Sequence, residues 1–373
     1  MSTEKYKSIA ANLKLEGRAY INGKYVDAID GAKFETINPA TGETLCSIAK
    51  CNNKDVELAV KVSRKVFENG IWSRSTPEHR KEVLLNFAKL LSDQGEENSV
   101  LESIDTGKLI VDCINEVAND APMHFQWYGE LIDKVFGKVG PTDPSITSLI
   151  VKEPIGVIAG IVPWNFPLMM AVWKMAPALA AGCSVIIKPA EDTPLTAIKV
   201  AEIASKAGIP DGVLNILPGF GDVGEALGRH NDVDAISFTG STEVGGYFMK
   251  YSGESNLKNI GLEMGGKSPF IVLDDAVIDD DLIENAAMSA FWNGGENCSA
   301  NMRQLVDASL VDEYISRIIT RAKQFKVGDP LDPETDIGAM ITLEHHNRVM
   351  SYIQKGREEG AKLVYGGEQF GSP

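Results

Sequence analysis

Between residues 155 and 262 the chain alternates short, continuously apolar runs with stretches whose apolar residues recur every three or four positions. The runs at 155–161, 184–188, 213–217, 234–238 and 258–262 read as strands, and the stretches at 168–181, 194–207, 222–229 and 241–251 read as amphipathic helices. A strand apolar at consecutive positions is covered on both faces. A βα series achieves this by laying helices on either side of a parallel sheet. The predicted fold class is therefore α/β, with a doubly wound, mostly parallel sheet whose ligand sites lie at the carboxyl ends of its strands. Upstream, Asn22-Gly23 within Arg18–Val26 predicts a hairpin, and Asn38-Pro-Ala-Thr-Gly42 a turn. Helices are expected over 53–68, 77–94 and 110–135, the second with Thr76 as N-cap and Pro77 at its first position. A further α/β region begins near Gly265.

The segment Ile155–Trp173 carries a single polar side chain, Asn165, and so imitates a membrane span. Pro163, Pro167, Gly156 and Gly160 interrupt it, which predicts a buried strand, a turn and a helix start instead. The Met and Trp residues at 164–175 fall at helical spacing and read as core.

A chain of 373 residues has room for two domains. Its net charge of −16 argues against nucleic acid or an anionic membrane as the main partner, because both demand basic surface. The five cysteines are odd in number and lack zinc-site spacing, and Met1–Tyr20 has no apolar signal core. A reduced, cytoplasmic protein is expected. The five histidines form neither HExxH nor a cysteine–histidine cluster, so no metal site is expected.

Several local patterns carry chemistry. Cys298 lies in Phe291-Trp-Asn-Gly-Gly-Glu-Asn-Cys-Ser-Ala-Asn-Met-Arg303, a small and polar setting suited to an exposed, reactive sulfur rather than a packed one. Gly219-Phe-Gly221-Asp-Val-Gly224 fits the dinucleotide fingerprint between a strand and a helix, and equally fits a structural turn. Phe238-Thr-Gly240-Ser241 ends a strand and opens a helix, where free N–H groups can hold a phosphate or Ser241 can serve as a plain cap. Lys188-Pro-Ala-Glu191 projects a cation and a carboxylate from another strand end. Such a carboxylate can bind ribose hydroxyls and repel a 2′-phosphate. Gly261-Leu-Glu-Met-Gly-Gly266-Lys267-Ser268 matches a P-loop in letters only, because Pro269 and an apolar run follow it where a helix is needed.

Taken in order, Ile161-Val-Pro-Trp-Asn165-Phe-Pro, Lys188-Pro-Ala-Glu191, Phe238-Thr-Gly-Ser241, Leu262-Glu263-Met-Gly-Gly-Lys-Ser-Pro and the Cys298 stretch resemble the NAD(P)-dependent aldehyde dehydrogenase superfamily across essentially the whole chain. The resemblance implies that Cys298 is the nucleophile, Asn165 the oxyanion donor and Glu263 the general base, the last partly desolvated with a raised pKa. It implies cofactor contacts at Ile161, Val162, Pro163, Trp164, Lys188, Glu191, Gly221, Gly224, Phe238, Gly240 and Ser241. Gly221 and Gly224 belong to a loop beside the adenine, and Glu191 favours NAD over NADP. It also implies a dinucleotide-binding domain over 1–136 and 153–262, an oligomerisation arm over 137–152 and a partial catalytic domain over 263–373. The expected partners are a small aldehyde and further copies of the chain, as a homodimer or homotetramer.

The neighbourhoods Gln126–Lys134, Gly228–Ala235 and Ser252–Lys258 look most like the branch acting on aminoaldehydes, including γ-glutamyl-aminobutyraldehyde and betaine aldehyde. Two departures stand out. Glu296 replaces the family's usual glutamine, placing a carboxylate that either opposes a thiolate or points away. Family chains also continue past Pro373, so the chain is expected to be C-terminally truncated, and Glu368-Gln-Phe-Gly371 is expected to be loop. The alternative reading is a catalytically incompetent fragment that retains nucleotide binding.

Overall fold

The computed structural model of the chain describes residues 2–370. Helix α1 (Thr3–Asn12) leads into the hairpin β1 (Ala19–Ile21) and β2 (Lys24–Val26). Asn22 and Gly23 sit at φ 53° and 78°, the left-handed pair that a two-residue turn between right-twisted strands requires. A second hairpin, β3 (Lys33–Ile37) and β4 (Thr44–Ala49), precedes α2 (Asn53–Asn69), α3 (Pro77–Asp93) and α4 (Gly95–Thr106). Asn52 and Asp55 cap α2 reciprocally, and Thr76 caps α3 as expected.

The single helix expected over 110–135 is four pieces: α5 (Ile110–Cys113), a π-helix over Ile114–Asp120, α6 (Ala121–Leu131) and a 3₁₀ turn over Ile132–Lys134. Pro122 has no N–H to offer the carbonyl four residues back, and its ring crowds that carbonyl, so the preceding turns widen. Next come the short hairpin β5 (Lys138–Gly140) and β6 (Ser148–Ile150), then β7 (Val157–Ile161), α7 (Pro167–Ala181), β8 (Ser184–Lys188), α8 (Leu195–Ala207), β9 (Leu214–Ile216), α9 (Gly221–Arg229), β10 (Ala235–Gly240), α10 (Thr242–Gly253) and β11 (Asn259–Met264). Ile155–Trp173 is thus a strand, a turn and a helix start. Among the described residues no helix is long and apolar enough to cross a membrane.

β7 to β11 form the parallel part of a seven-stranded sheet ordered β11-β10-β7-β8-β9-β1-β2, with β1 antiparallel to β9. Alternate residues of β8 face opposite cores. Val185 and Ile187 join the side chains of α3, α6, α7 and α8, whereas Ile186 joins those of α2, α9 and α10. The chain winds outward from β7 in both directions, so β7 lies at the switch point where a doubly wound sheet opens a crevice. Register aligns the strand ends there: Ile161 pairs with Lys188 on one side and with Phe238 on the other, and Thr239 pairs with Glu263.

Beyond the sheet, β12 (Pro269–Val272), α11 (Asp280–Phe291), β13 (Arg303–Val306) and α12 (Val311–Ala322) build a smaller layer, followed by α13 (Leu343–Glu358). Its two strands are parallel and pack Val272, Ile278, Ile283, Ala286 and Tyr314 together. Pro269 opens β12, which removes the P-loop reading. Glu368–Phe370 is irregular as expected, and Gly371 lies outside the described residues.

Candidate active site

β7 delivers the first group. After Ile161 the backbone turns through Val162, Pro163 and Trp164 to Asn165, and Pro167 starts α7 with a φ already suited to a helix. The Val162 N–H donates to the Lys188 carbonyl at 3.1 Å, which fixes this turn to the end of β8. The Asn165 Nδ2 amide donates to the Glu296 carbonyl at 2.8 Å, so the β7 turn touches the chain two residues before Cys298. An amide nitrogen carries two hydrogens, and this bond uses one of them.

The Cys298 turn is built from residues that tolerate left-handed backbone. Asn293, Gly294 and Gly295 sit at φ 53°, 63° and 78°. Glycine pays no Cβ penalty there, and Asn293 is held by its own side chain, which donates to the Glu296 carbonyl at 3.2 Å. Asn297 closes the other side: its Oδ1 accepts from the Ser299 N–H and hydroxyl at 3.1 and 3.0 Å. Cys298 lies between these clamps and is exposed, as the small and polar neighbourhood predicts. Among the described residues no acceptor takes its backbone N–H.

Glu263 lies on β11, the outermost strand of the sheet, and is exposed rather than desolvated as expected. An edge strand has a neighbour on one side only, and the loop that follows, 265–267, is exposed as well. The group buried beside it is Lys174 on α7, whose Nζ donates to the Thr239 hydroxyl at 2.7 Å. Burial lowers the Lys174 ammonium to about 8, against the pull of Glu263. The core reading of the Met and Trp residues at 164–175 holds for Met169 and Met175, which are buried, but not for Trp173, which is 50% exposed.

The cofactor candidates fall along the strand ends. Lys188 is 5% exposed, and its Nζ reaches the Pro189 carbonyl and Glu191 Oε2, both at 3.0 Å. Ser241 caps α10, its hydroxyl accepting from the Val244 N–H at 3.3 Å, and it remains exposed. Gly240 stays a glycine because a Cβ would sit 2.6 Å from the Phe238 ring. Gly221 and Gly224 belong to the first turn of α9, not to a loop. A Cβ on Gly221 would meet nothing within 4 Å, so this turn presents open backbone. Ile161, Val162 and Phe238 are buried in the two cores, which leaves only their main chain for a ligand. Pro163 and Trp164 are partly exposed.

Behind Asn165 lies a buried charged cluster that no sequence pattern announced. Lys108 is 4% exposed, pairs with Glu116, and places its ammonium 3.9 Å from the centre of the Phe166 ring. Phe166 in turn packs 5.4 Å from Trp292. Burial lifts Glu116 to about 7 in spite of Lys108, and it raises Asp112, which accepts from Trp292. Glu296 points away from the thiol. Its Oε1 accepts from the Ile341 N–H at 3.2 Å, and burial lifts its carboxyl to about 7. Among the described residues no group of three or more His, Cys, Asp or Glu side chains could hold a metal ion.

A lysine with a folded pKa below its unfolded one binds fewer protons when folded between about 8 and 10.5, so stability rises with pH across that window. Removing Lys174 removes that rise. In urea melts of Lys174→Met, the stability gain from pH 8 to pH 10 is smaller than in wild type; an equal gain would mean that Lys174 is not desolvated.

The sequence profile described as the aldehyde dehydrogenase family matches residues 25–373. The aminoacetaldehyde dehydrogenase of Pseudomonas aeruginosa is 45% identical over 368 residues, spanning 98% of this chain and 74% of that protein. A γ-glutamyl-γ-aminobutyraldehyde dehydrogenase structure from Burkholderia cenocepacia superposes with a TM-score of 0.97 at 44% identity, covering all of this chain and 75% of that one. An indole-3-acetaldehyde dehydrogenase from P. syringae, solved in complex with NAD+, has a TM-score of 0.97 at 44% identity, covering 99% and 75%. The chain belongs to the aldehyde dehydrogenase family.

Proposed function

We propose that this chain oxidises an aldehyde, of the aminoaldehyde class, to its carboxylic acid through a thioester on Cys298. The observation that carries this reading is the bond from Asn165 to the Glu296 carbonyl, which brings an amide donor from the β7 turn to the turn that exposes the thiol. The Cys298 thiolate adds to the carbonyl carbon, and the π electron pair moves to oxygen. The second Asn165 N–H and the Cys298 N–H stabilise that oxyanion, since neither is committed elsewhere among the described residues. The carbonyl then re-forms as the hydride departs, leaving the acyl group on sulfur.

The strand ends fit a dinucleotide. Lys188 and Glu191 supply a cation and a carboxylate for ribose hydroxyls, Ser241 and the first turn of α10 supply N–H donors for phosphate, and α9 supplies open backbone at Gly221. NAD supplies the hydride acceptor when bound there. Glu263 then takes a proton from the water that attacks the thioester, and the thiolate leaves. Its exposure at the sheet edge leaves room for that water.

The aminoaldehyde assignment is supported by the likeness to the aminoacetaldehyde dehydrogenase of Pseudomonas aeruginosa. The five unpaired cysteines support a reducing cytoplasm. The β5–β6 hairpin and the residues flanking it support self-association: Phe136, Val139, Leu149 and Val151 expose 78%, 73%, 65% and 67% of their surface.

NADH formation on an aldehyde panel tests the mechanism. Cys298→Ser lowers kcat by about 1,000-fold or more, because an alcohol is a far weaker nucleophile without a base beside it. A serine variant that keeps its rate contradicts the assignment. The Glu191 carboxylate makes kcat/KM for NAD exceed that for NADP by about tenfold. Equal values would remove Glu191 as the discriminating group.

A further inference from the structure

Glu296 stands at a junction that the catalytic roles above leave unused. Its carbonyl accepts from Asn165 at 2.8 Å and from Asn293 at 3.2 Å. Its carboxylate accepts from the Ile341 N–H at 3.2 Å and lies 3.6 Å from His345 Nε2, with only 7% of the side chain exposed. His345, on the first turn of α13, also packs edge-on against Trp164, 5.0 Å between ring centres. The segment entering α13 is fixed in turn to the Lys108 loop. The Ala339 N–H donates to the Gly107 carbonyl at 3.2 Å, and a Cβ on Gly338 would fall 2.2 Å from that oxygen. Backbone therefore lies against backbone at this point, and the contact leaves no space for slack.

We propose that Glu296 is a positioning residue: its side chain anchors the nucleophile turn to the segment entering α13 while its carbonyl holds Asn165, so that one residue sets the spacing between thiol and oxyanion donor. This rests on the assignment of Cys298 and Asn165 given above. The charged and titratable groups facing the carboxylate are Lys108 from the loop after α4, itself paired with Glu116, and His345 from α13, which burial and Arg348 keep below its ordinary pKa. Glutamine in place of Glu296 would keep an acceptor for the Ile341 N–H but could not ionise. The carboxylate therefore adds a charge that changes near neutral pH, two residues from the thiol.

Two readouts test this. Iodoacetamide alkylation of Cys298, followed by peptide mass, does not depend on the thiol being catalytic. At a fixed pH of 7 Cys298 is alkylated about threefold or more faster in Glu296→Ala than in wild type, because the turn loses its hold on the Ile341 N–H, and Glu296→Gln returns the rate toward wild type. Equal alkylation rates for wild type and Glu296→Ala overturn the proposal. In steady-state assays Glu296→Ala lowers kcat by about tenfold or more while KM for NAD stays within about threefold, and Glu296→Gln restores kcat at pH 7. A Glu296→Ala enzyme with wild-type kcat overturns the anchoring role. Cys298→Ser run alongside separates this failure from failure of the nucleophile assignment: the alkylation result for Glu296 stands or falls whatever the serine variant does.

Discussion

One carbonyl oxygen joins the two halves of the site. The Glu296 carbonyl takes the Asn165 amide from the end of β7 and the Asn293 amide from its own turn. Without it, the oxyanion donor and the thiol would sit on separate layers, one on the seven-stranded sheet and one on the layer built around β12 and β13. The left-handed run Asn293–Gly295 aims that carbonyl, and the turn after β7 brings Asn165 to meet it.

The site also depends on polar groups buried where a helix would ordinarily pack apolar ones. α4 is buried at Asn98, Ser99, Glu102, Ser103 and Asp105. Glu102 accepts from the Leu168 N–H and the Thr196 hydroxyl, so it ties α4 to the starts of α7 and α8. Asp105 accepts from Thr36 and the Leu195 N–H. Burial raises both carboxyls, Asp105 to about 8. Glu102 Oε1 and Asn98 Nδ2 find no partner among the described residues, so loss of a remaining bond in this low-dielectric cluster is costly. The cluster fixes the base on which Lys108, Phe166 and hence Asn165 rest.

The parallel sheet was legible because strands buried on both faces leave continuous apolar runs, and the register of β7, β8 and β10 brought Ile161, Lys188 and Phe238 into line. The Asn22-Gly23 turn was legible because few residue pairs accept two left-handed conformations. α4 was missed for the opposite reason: apart from Val100, Leu101 and Ile104 its buried residues are polar or small, so its apolar periodicity is too short to mark it. α1 was missed because its ten residues bury one side chain outright, Tyr6. Glu263 was identified by its motif, but its exposure follows from β11 being an edge strand, which the local sequence does not encode. The orientation of Glu296 depends on Ile341, and Lys108 depends on Glu116; neither contact has a short-range signature.

The central claim is that the acyl group rests on Cys298 while Glu263 prepares its release. Glu263→Gln, mixed with NAD and an aldehyde and quenched in acid, tests it directly by peptide mass. The account predicts that the Cys298 peptide gains the mass of the aldehyde less a hydride and a proton, and that this adduct accumulates. NADH formation with no adduct on Cys298, or with the adduct on another residue, would contradict it.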